Sequence, residues 1–385
     1  MEFGLSEEQA LIQETARRFT DSELAPVASL IEEPSGRDTY LKNLKGLADL
    51  GFMGLNIDAT FGGSEAGVIP FSLAITEVAK ACASTAVAMS VNNLVGEVVQ
   101  SIGTDQQKKY YIPKLCSGEF SCASFCLSET VAGSDPSRLA TQAKKSGSDW
   151  VINGTKMWIS SAEYAGFFVV WAVTDPTAKP GKGISCFLVE ASNPGVSIGP
   201  AETKMGQKAS STNSVIFEEC RVKHDAMLGE ENAGFKIAVS ELVGGRIGIA
   251  SLALGIGTAA IDFARQYTTE REQFGQKISN FQGLQFMMAD TYTELEAAKL
   301  LVLNAAWKKE NNHPYMKNAS MAKLFCTEAA NKACYTALQL MGGAGYTSDY
   351  PLERFARDAR VTTIYEGTSE IQRVIIAREL LKEIA

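Results

Sequence analysis

Apolar residues fall at helical intervals toward both ends of the chain and at strand-like spacing in its middle third. Up to about residue 120 the period is near 3.6, which predicts helices. Ser6-Glu7-Glu8-Gln9 has the spacing of a capping box, with Ile12, Ala16 and Phe19 following on one face. Thr104-Asp105-Gln106-Gln107 repeats the signal ahead of Tyr110, Tyr111 and Ile112, and further helices are predicted over 41–50, 71–83 and 86–101. Between 121 and 224 the runs shorten, become β-branched and aromatic, and are punctuated by glycine. Strands are expected over 167–174, 184–190 and 214–219. Trp150-Val151-Ile152 and Thr155-Lys156-Met157-Trp158-Ile159 flank Asn153-Gly154, whose tolerance of positive φ predicts a type I′ hairpin. Helical spacing returns from Gly234, over 235–267, 279–310, 316–341 and 369–384.

This order predicts an α+β multidomain chain: an N-terminal α-helical domain over 1–120, a middle antiparallel β domain over 121–230, and a C-terminal four-helix bundle over 231–385. Bundles with helices of this length often pack against copies of themselves. At 385 residues the chain is long for one core, which agrees with two or three packed units.

Composition narrows the function classes. The formal net charge is −8 and no basic block stands out, so nucleic acid is not an expected partner. An anionic ligand has to be held by helix N-termini and single Arg or Lys residues. Eight cysteines at irregular spacing, without a C-x-x-C, predict reduced thiols in a reducing compartment. With only His224 and His313, both in polar surroundings, histidine metal sites and a Ser-His-Asp triad are not expected, and no metal is predicted. The uncharged apolar runs 165–173 and 247–261 are too short or too rich in glycine to span a bilayer, and they read as buried core. Met1-Glu2-Phe3 is read as leading straight into a helix without a signal or transit peptide, so a cytoplasmic location is expected. Gly255-Ile256-Gly257-Thr258-Ala259-Ala260 fits the loose dinucleotide fingerprint, but both flanks are helical where the fingerprint needs a strand before it. Close approach of two helices is the better explanation.

The most informative stretch is Ile364-Tyr365-Glu366-Gly367-Thr368-Ser369-Glu370-Ile371-Gln372-Arg373. A carboxylate on a glycine-flanked turn at a helix start can be aimed into a cavity and stripped of water, which raises its pKa and suits it to take a proton from carbon. A surface carboxylate favoured by the helix dipole is the ordinary alternative for a lone Glu.

The chain resembles the acyl-CoA dehydrogenase family over essentially its whole length. The resemblance rests on Phe125-Cys126-Leu127-Ser128-Glu129 with Ala132-Gly133-Ser134-Asp135, on Met157-Trp158-Ile159-Ser160, and on Arg271-Glu272-Gln273-Phe274-Gly275. Gln339-Leu340-Met341-Gly342-Gly343, Arg357-Asp358-Ala359-Arg360 and the Glu366 segment follow in the family's order. Cys82-Ala83-Ser84-Thr85 followed by Met89-Ser90-Val91-Asn92-Asn93 resembles the short-chain, butyryl-CoA branch.

The resemblance implies a bound FAD and α,β-dehydrogenation of a short-chain acyl-CoA to a trans-2-enoyl-CoA. Glu366 would take the α-proton, flavin N5 the β-hydride, and an electron-transferring flavoprotein the electrons. Leu127, Ser128, Trp158 and Ser160 would line the flavin, with Ser160 standing where relatives usually carry threonine. Arg271, Phe274, Gln282, Gln339 and Gly343 would hold the diphosphate and adenosine from a neighbouring subunit of a homotetramer, and Thr368 and Glu370 would lie near the cofactor. Ser134, Arg246, Tyr365 and Gly367 would meet the substrate. Where some relatives carry the base on another helix, this chain has Gly245. Val243 stands where relatives usually carry an aspartate that meets the CoA, and Thr203 and Thr130 replace a usual aspartate and proline; none of the three touches the base. Ala86, Val87 and Ala88 favour an apolar acyl tail over a carboxylate one. Rival readings on the same scaffold are an acyl-CoA oxidase, a flavin-dependent desulfinase, a dehydrogenase of other chain length or branching, and a non-catalytic scaffold.

Overall fold

A computed structural model describes residues 4–384; the Met1-Glu2-Phe3 reading lies outside the described residues. Five helices come first: α1 Glu7–Phe19, α2 Arg37–Asp49, α3 Val68–Ala79, α4 Ala83–Ile102 and α5 Asp105–Cys116. Both expected capping boxes form, at Ser6 with Gln9 and at Thr104 with Gln107. Between α1 and α2 the chain runs through single π and 3₁₀ turns, Thr20–Leu24 to Pro34–Gly36, which the periodicity did not announce.

Eight strands follow: β1 Cys122–Cys126, β2 Gln142–Ser146, β3 Asp149–Ser160, β4 Ala165–Val173, β5 Ile184–Glu190, β6 Val196–Ile198, β7 Thr212–Val222 and β8 Met227–Leu228. They form one sheet in the order β6-β7-β3-β2-β4-β5-β8, with β1 parallel to β4. Most pairs are antiparallel. Alternation along β4 divides two cores: Phe167, Val169 and Trp171 join the helices' core, while Phe168, Val170 and Ala172 join a second cluster with Trp150, Phe187 and Phe217. Trp171 Nε1 donates to Gly234 O at 2.8 Å, tying the sheet to the helix that follows.

The hairpin expected at Asn153-Gly154 is not there. β3 runs through both residues, and its pairing with β7 shifts register between Ile152 and Gly154. Gly154 has φ +150, and a Cβ there would sit 2.7 Å from Thr141 Cα. Asn153 bonds across to Glu219 in both directions, at 2.9 and 2.8 Å. The tolerance of unusual backbone is used for a bulge instead of a turn. The turn lies one segment earlier, where Gly147 (φ +63) connects β2 to β3.

The last part holds α6 Gly234–Glu270, the short strands β9 Glu272–Gln273 and β10 Gln276–Lys277, α7 Gln282–Glu310, α8 Met316–Met341, α9 Leu352–Arg360 and α10 Ser369–Lys382. α9 was not expected as a helix. α6 is long and apolar enough to cross a membrane, but 78% of its most apolar window is buried inside the molecule. Its glycines mark close helix crossings. A Cβ at Gly257 would lie 3.0 Å from Ala330 Cα of α8, and one at Gly255 would collide with the Thr76 carbonyl of α3. The dinucleotide-like run is therefore packing, as expected. All eight cysteines are free and buried.

Candidate active site

The chain reaches Glu366 through a short 3₁₀ turn, Val361–Thr363, and leaves it through α10, whose N-cap Thr368 accepts from Ile371 N. Glu366 and Gly367 are both left-handed, with φ +51 and +91. For glycine that conformation is free, whereas for glutamate it costs about 1–3 kcal/mol and has to be imposed by its surroundings. Two side chains impose it. Gln372 Nε2 donates to Gly367 O at 2.8 Å and to Glu366 O at 3.3 Å, and Lys323 Nζ of α8 donates to Gly367 O at 2.8 Å. The turn aims the carboxyl at α6, where it occupies the room left by Gly245. A Cβ there would collide with Oε2.

Glu366 is half-buried as a residue, yet its Oε2 is sealed from solvent and finds no hydrogen-bond partner among the described residues. Burial pushes the carboxyl up to about 7, against the opposing pull of Lys323 and then Arg246. Arg246, on α6, is itself buried; its Nη1 reaches Ser320 Oγ at 3.3 Å and its Nε has no partner. Burial brings the guanidinium down to about 10 although Glu366 favours its charge. Orphaned buried polar atoms on Glu366 and Arg246 are costly in an empty core, and they suit a pocket that receives a polar ligand. Beside them, Tyr365 OH accepts from Gln207 Nε2 at 3.2 Å, and Gln207 also bonds to Asp358, a buried carboxyl pushed to about 7 by desolvation.

A second group assembles on the sheet. Met157 N donates to Ser128 O at 2.9 Å and Ser124 Oγ to Ser160 O at 2.8 Å, which draws Leu127, Ser128, Trp158 and Ser160 together. Trp158 sits on a left-handed bulge (φ +61) and is 59% exposed, an uncovered indole face beside half-buried hydroxyls. A flat ring system with a polar end fits such a strip, so these residues suit the flavin. Behind them Lys156 and Glu129 form a fully buried ion pair at 2.7 Å, with Glu129 also accepting from Ala140 N and Thr141 N.

The third group stands apart. Arg271 joins α6 to β9, Phe274 lies in the turn between β9 and β10, Gln282 begins α7, Gln339 lies in the last turn of α8 and Gly343 just beyond it; all are exposed. Phe274 is 93% exposed with φ +53, and a Cβ at Gly343 would touch nothing within 4 Å. Thr368 caps α10 and Glu370 lies in its first turn, both just after Glu366, with Thr368 half-buried and Glu370 exposed. Ser134 is exposed in the loop after β1, with no bond linking it to the Glu366 turn among the described residues.

Sequence reasoning missed Lys323, Gln372 and Gln207. Lys323 had a signal: it falls within the stripe of Ala319, Ala322, Cys326 and Ala330, where a charged residue interrupts the buried face of α8.

Three family models match in succession: acyl-CoA dehydrogenase N-terminal domain over 6–119, middle domain over 124–220 and C-terminal domain over 232–381. The chain is 43% identical over 380 residues to the mitochondrial short-chain specific acyl-CoA dehydrogenase of Bos taurus, covering 98% of this chain and 91% of that one. Among solved structures it is similar to butyryl-CoA dehydrogenase from Megasphaera elsdenii, with TM-score 0.94 and 35% identity over 99% of this chain and 100% of the other. It is also similar to a chain in a structure described as the electron transferring flavoprotein of Acidaminococcus fermentans, with TM-score 0.95 and 39% identity, covering 99% and 100%.

Proposed function

This chain belongs to the acyl-CoA dehydrogenase family, and on that footing we propose that it desaturates a short-chain acyl-CoA to the trans-2-enoyl-CoA with Glu366 as the base. It is an FAD-dependent oxidoreductase of acyl-CoA that passes electrons to an electron-transferring flavoprotein. The observation that carries the assignment of the base is the carboxyl itself: its Oε2 is sealed and unpartnered, and burial poises it near neutrality beside two cations.

A solvated carboxylate is far too weak a base for an α-carbon acid. Three features of this chain narrow the gap. Burial makes Glu366 a stronger base while Lys323 and Arg246 keep enough of it ionised at neutral pH. The Glu366 N–H makes no hydrogen bond among the described residues, so it is free to donate to a thioester carbonyl and stabilise enolate-like charge. A bound acyl chain completes the exclusion of water from the carboxyl. Arg246, Tyr365, Gly367 and Ser134 are proposed to meet the substrate.

When bound, FAD supplies the acceptor for the β-hydride. Leu127, Ser128, Trp158, Ser160, Thr368 and Glu370 would hold its flavin side within one subunit. Arg271, Phe274, Gln282, Gln339 and Gly343 would hold its diphosphate and adenosine in the adjacent subunit of a homotetramer. The near-complete exposure of Phe274 in the single chain supports a surface that another subunit covers. Domain limits at 1–120, 121–230 and 231–385 belong to the same proposal and lie close to the matched family segments. Eight free, buried thiols support a reducing compartment such as the cytoplasm.

The test is an anaerobic series of straight and branched acyl-CoAs scored by loss of flavin absorbance, repeated in air with peroxide detection. Bleaching that peaks at short chains without peroxide supports the reading. Rapid peroxide formation identifies an oxidase, and no bleaching by any acyl-CoA defeats the reading.

A further inference from the structure

Lys323 is among the largest fully buried side chains, and its one side-chain hydrogen bond among the described residues is to Gly367 O at 2.8 Å. It forms no ion pair among the described residues. Stripping an ammonium of water costs several kcal/mol unless negative charge stands near. The bond to Gly367 does not explain the expense, because Gln372 Nε2 already donates to the same carbonyl at 2.8 Å. What Lys323 adds to the turn is charge. The groups that face it are Glu366, Arg246, Glu328 and Glu370. Of the carboxylates, Glu328 is engaged by Ser369 Oγ at 2.6 Å and Glu370 is exposed. Glu366 is the one whose Oε2 is sealed and unpartnered. From the other side Glu366 faces Arg246 of α6, which in turn faces Arg378 and Tyr315.

We propose that Lys323 is the positioning residue for the Glu366 carboxylate, seating its turn through the Gly367 carbonyl and supplying the buried positive charge that keeps the carboxyl ionised at neutral pH. The proposal rests on Glu366 being the base. The two groups support each other's charge: burial pulls Lys323 down to about 8 against Glu366, and pushes Glu366 up to about 7 against Lys323. Removing the ammonium therefore raises the carboxyl further and leaves less of the base ionised at pH 7. Arg246 remains, without direct contact, as the second cation.

The test separates the charge from the hydrogen bond in the FAD-loaded enzyme. Lys323→Gln keeps a donor for Gly367 O without the charge, Lys323→Arg keeps the charge, and Lys323→Met removes both. The ionisation of Glu366 is read by difference infrared spectroscopy of the carboxyl C=O stretch across pH, assigned by its loss in Glu366→Gln. In Lys323→Gln the midpoint should rise by about one pH unit or more, which from a midpoint of about 7 leaves roughly fivefold less carboxylate at pH 7, and in Lys323→Arg it should stay near that of the wild type. Flavin reduction by butyryl-CoA should fall correspondingly at pH 7 with KM little changed, and recover as pH rises. If Lys323→Met fails to fold, the Gln and Arg variants decide. An unmoved midpoint in Lys323→Gln, or an equal shift in Lys323→Arg, overturns the proposal. Failure of the wild type to bleach with any acyl-CoA would defeat the functional reading alone, since the infrared midpoint needs no turnover.

Discussion

Replacing Gly245 with alanine should slow flavin reduction about a hundredfold while leaving the protein as stable or slightly more so. Gly245 lies buried inside α6, where glycine is worse than alanine by about 0.5–1 kcal/mol. The new Cβ would collide with Glu366 Oε2 and approach the carboxyl Cδ to 3.0 Å and Oε1 to 3.3 Å, meeting no backbone atom among its nearest neighbours. The obstacle is the free end of a flexible side chain, so the carboxyl yields and the helix keeps its gain. Catalysis cannot absorb the same movement. A misplacement of about 1 Å costs roughly 10²-fold, or about 2.7 kcal/mol in the barrier at 1.36 kcal/mol per factor of ten. Rapid mixing with butyryl-CoA under anaerobic conditions measures the rate, and thermal unfolding of the FAD-loaded protein measures stability. A Gly245→Ala enzyme that reduces its flavin at the wild-type rate would refute the claim that Glu366 works from the space this glycine leaves. Early unfolding would refute the stability half.

Because the folded-state pKa of Glu366 is raised to about 7 from the ordinary 4.5, the folded protein binds a proton there that the unfolded chain releases, and stability falls as pH rises from about 4.5 to 7. Glu366→Gln should therefore unfold at a higher temperature than the wild type at pH 8, with the gap closing toward pH 4.5; a gap that does not depend on pH contradicts the burial argument. Lys156→Met leaves Glu129 as an unpaired buried carboxylate and should cost about 3–5 kcal/mol in denaturant unfolding. Replacing Glu129 with leucine as well should restore most of that, and a single variant as stable as the wild type would show the pair to be dispensable. Phe274→Ala should leave the circular dichroism spectrum unchanged and weaken FAD retention and tetramer formation on size-exclusion chromatography. Full FAD content with an unaltered elution volume would remove Phe274 from the cofactor site.

Much of this architecture is written in local pattern. Capping at Ser6 and Thr104 depends on residues three apart, and β4 carries an apolar run that few other elements can use. Asn153-Gly154 misled because its permissive backbone serves a turn and a bulge equally well, and the choice was made by β7, some sixty residues away. α9 was legible and was passed over: Leu352, Phe355, Ala356 and Ala359 stand at i, i+3, i+4 and i+7 in a short, charge-rich segment, and they form the face that packs on α8 and α6. In the site, Glu366 and Trp158 were legible from motif and spacing. Lys323 was legible only in part: the apolar stripe of α8 marks it as a buried charge, but its partner is a turn more than forty residues later, which no local pattern carries.

The central claim is that the Glu366 carboxylate takes the α-proton. Anaerobic titration of the FAD-loaded Glu366→Gln variant with butyryl-CoA tests it most directly. The account predicts a yellow protein whose spectrum shifts as substrate binds but whose flavin is not bleached, beside a wild type that is. Bleaching of the variant at a rate near that of the wild type would contradict it.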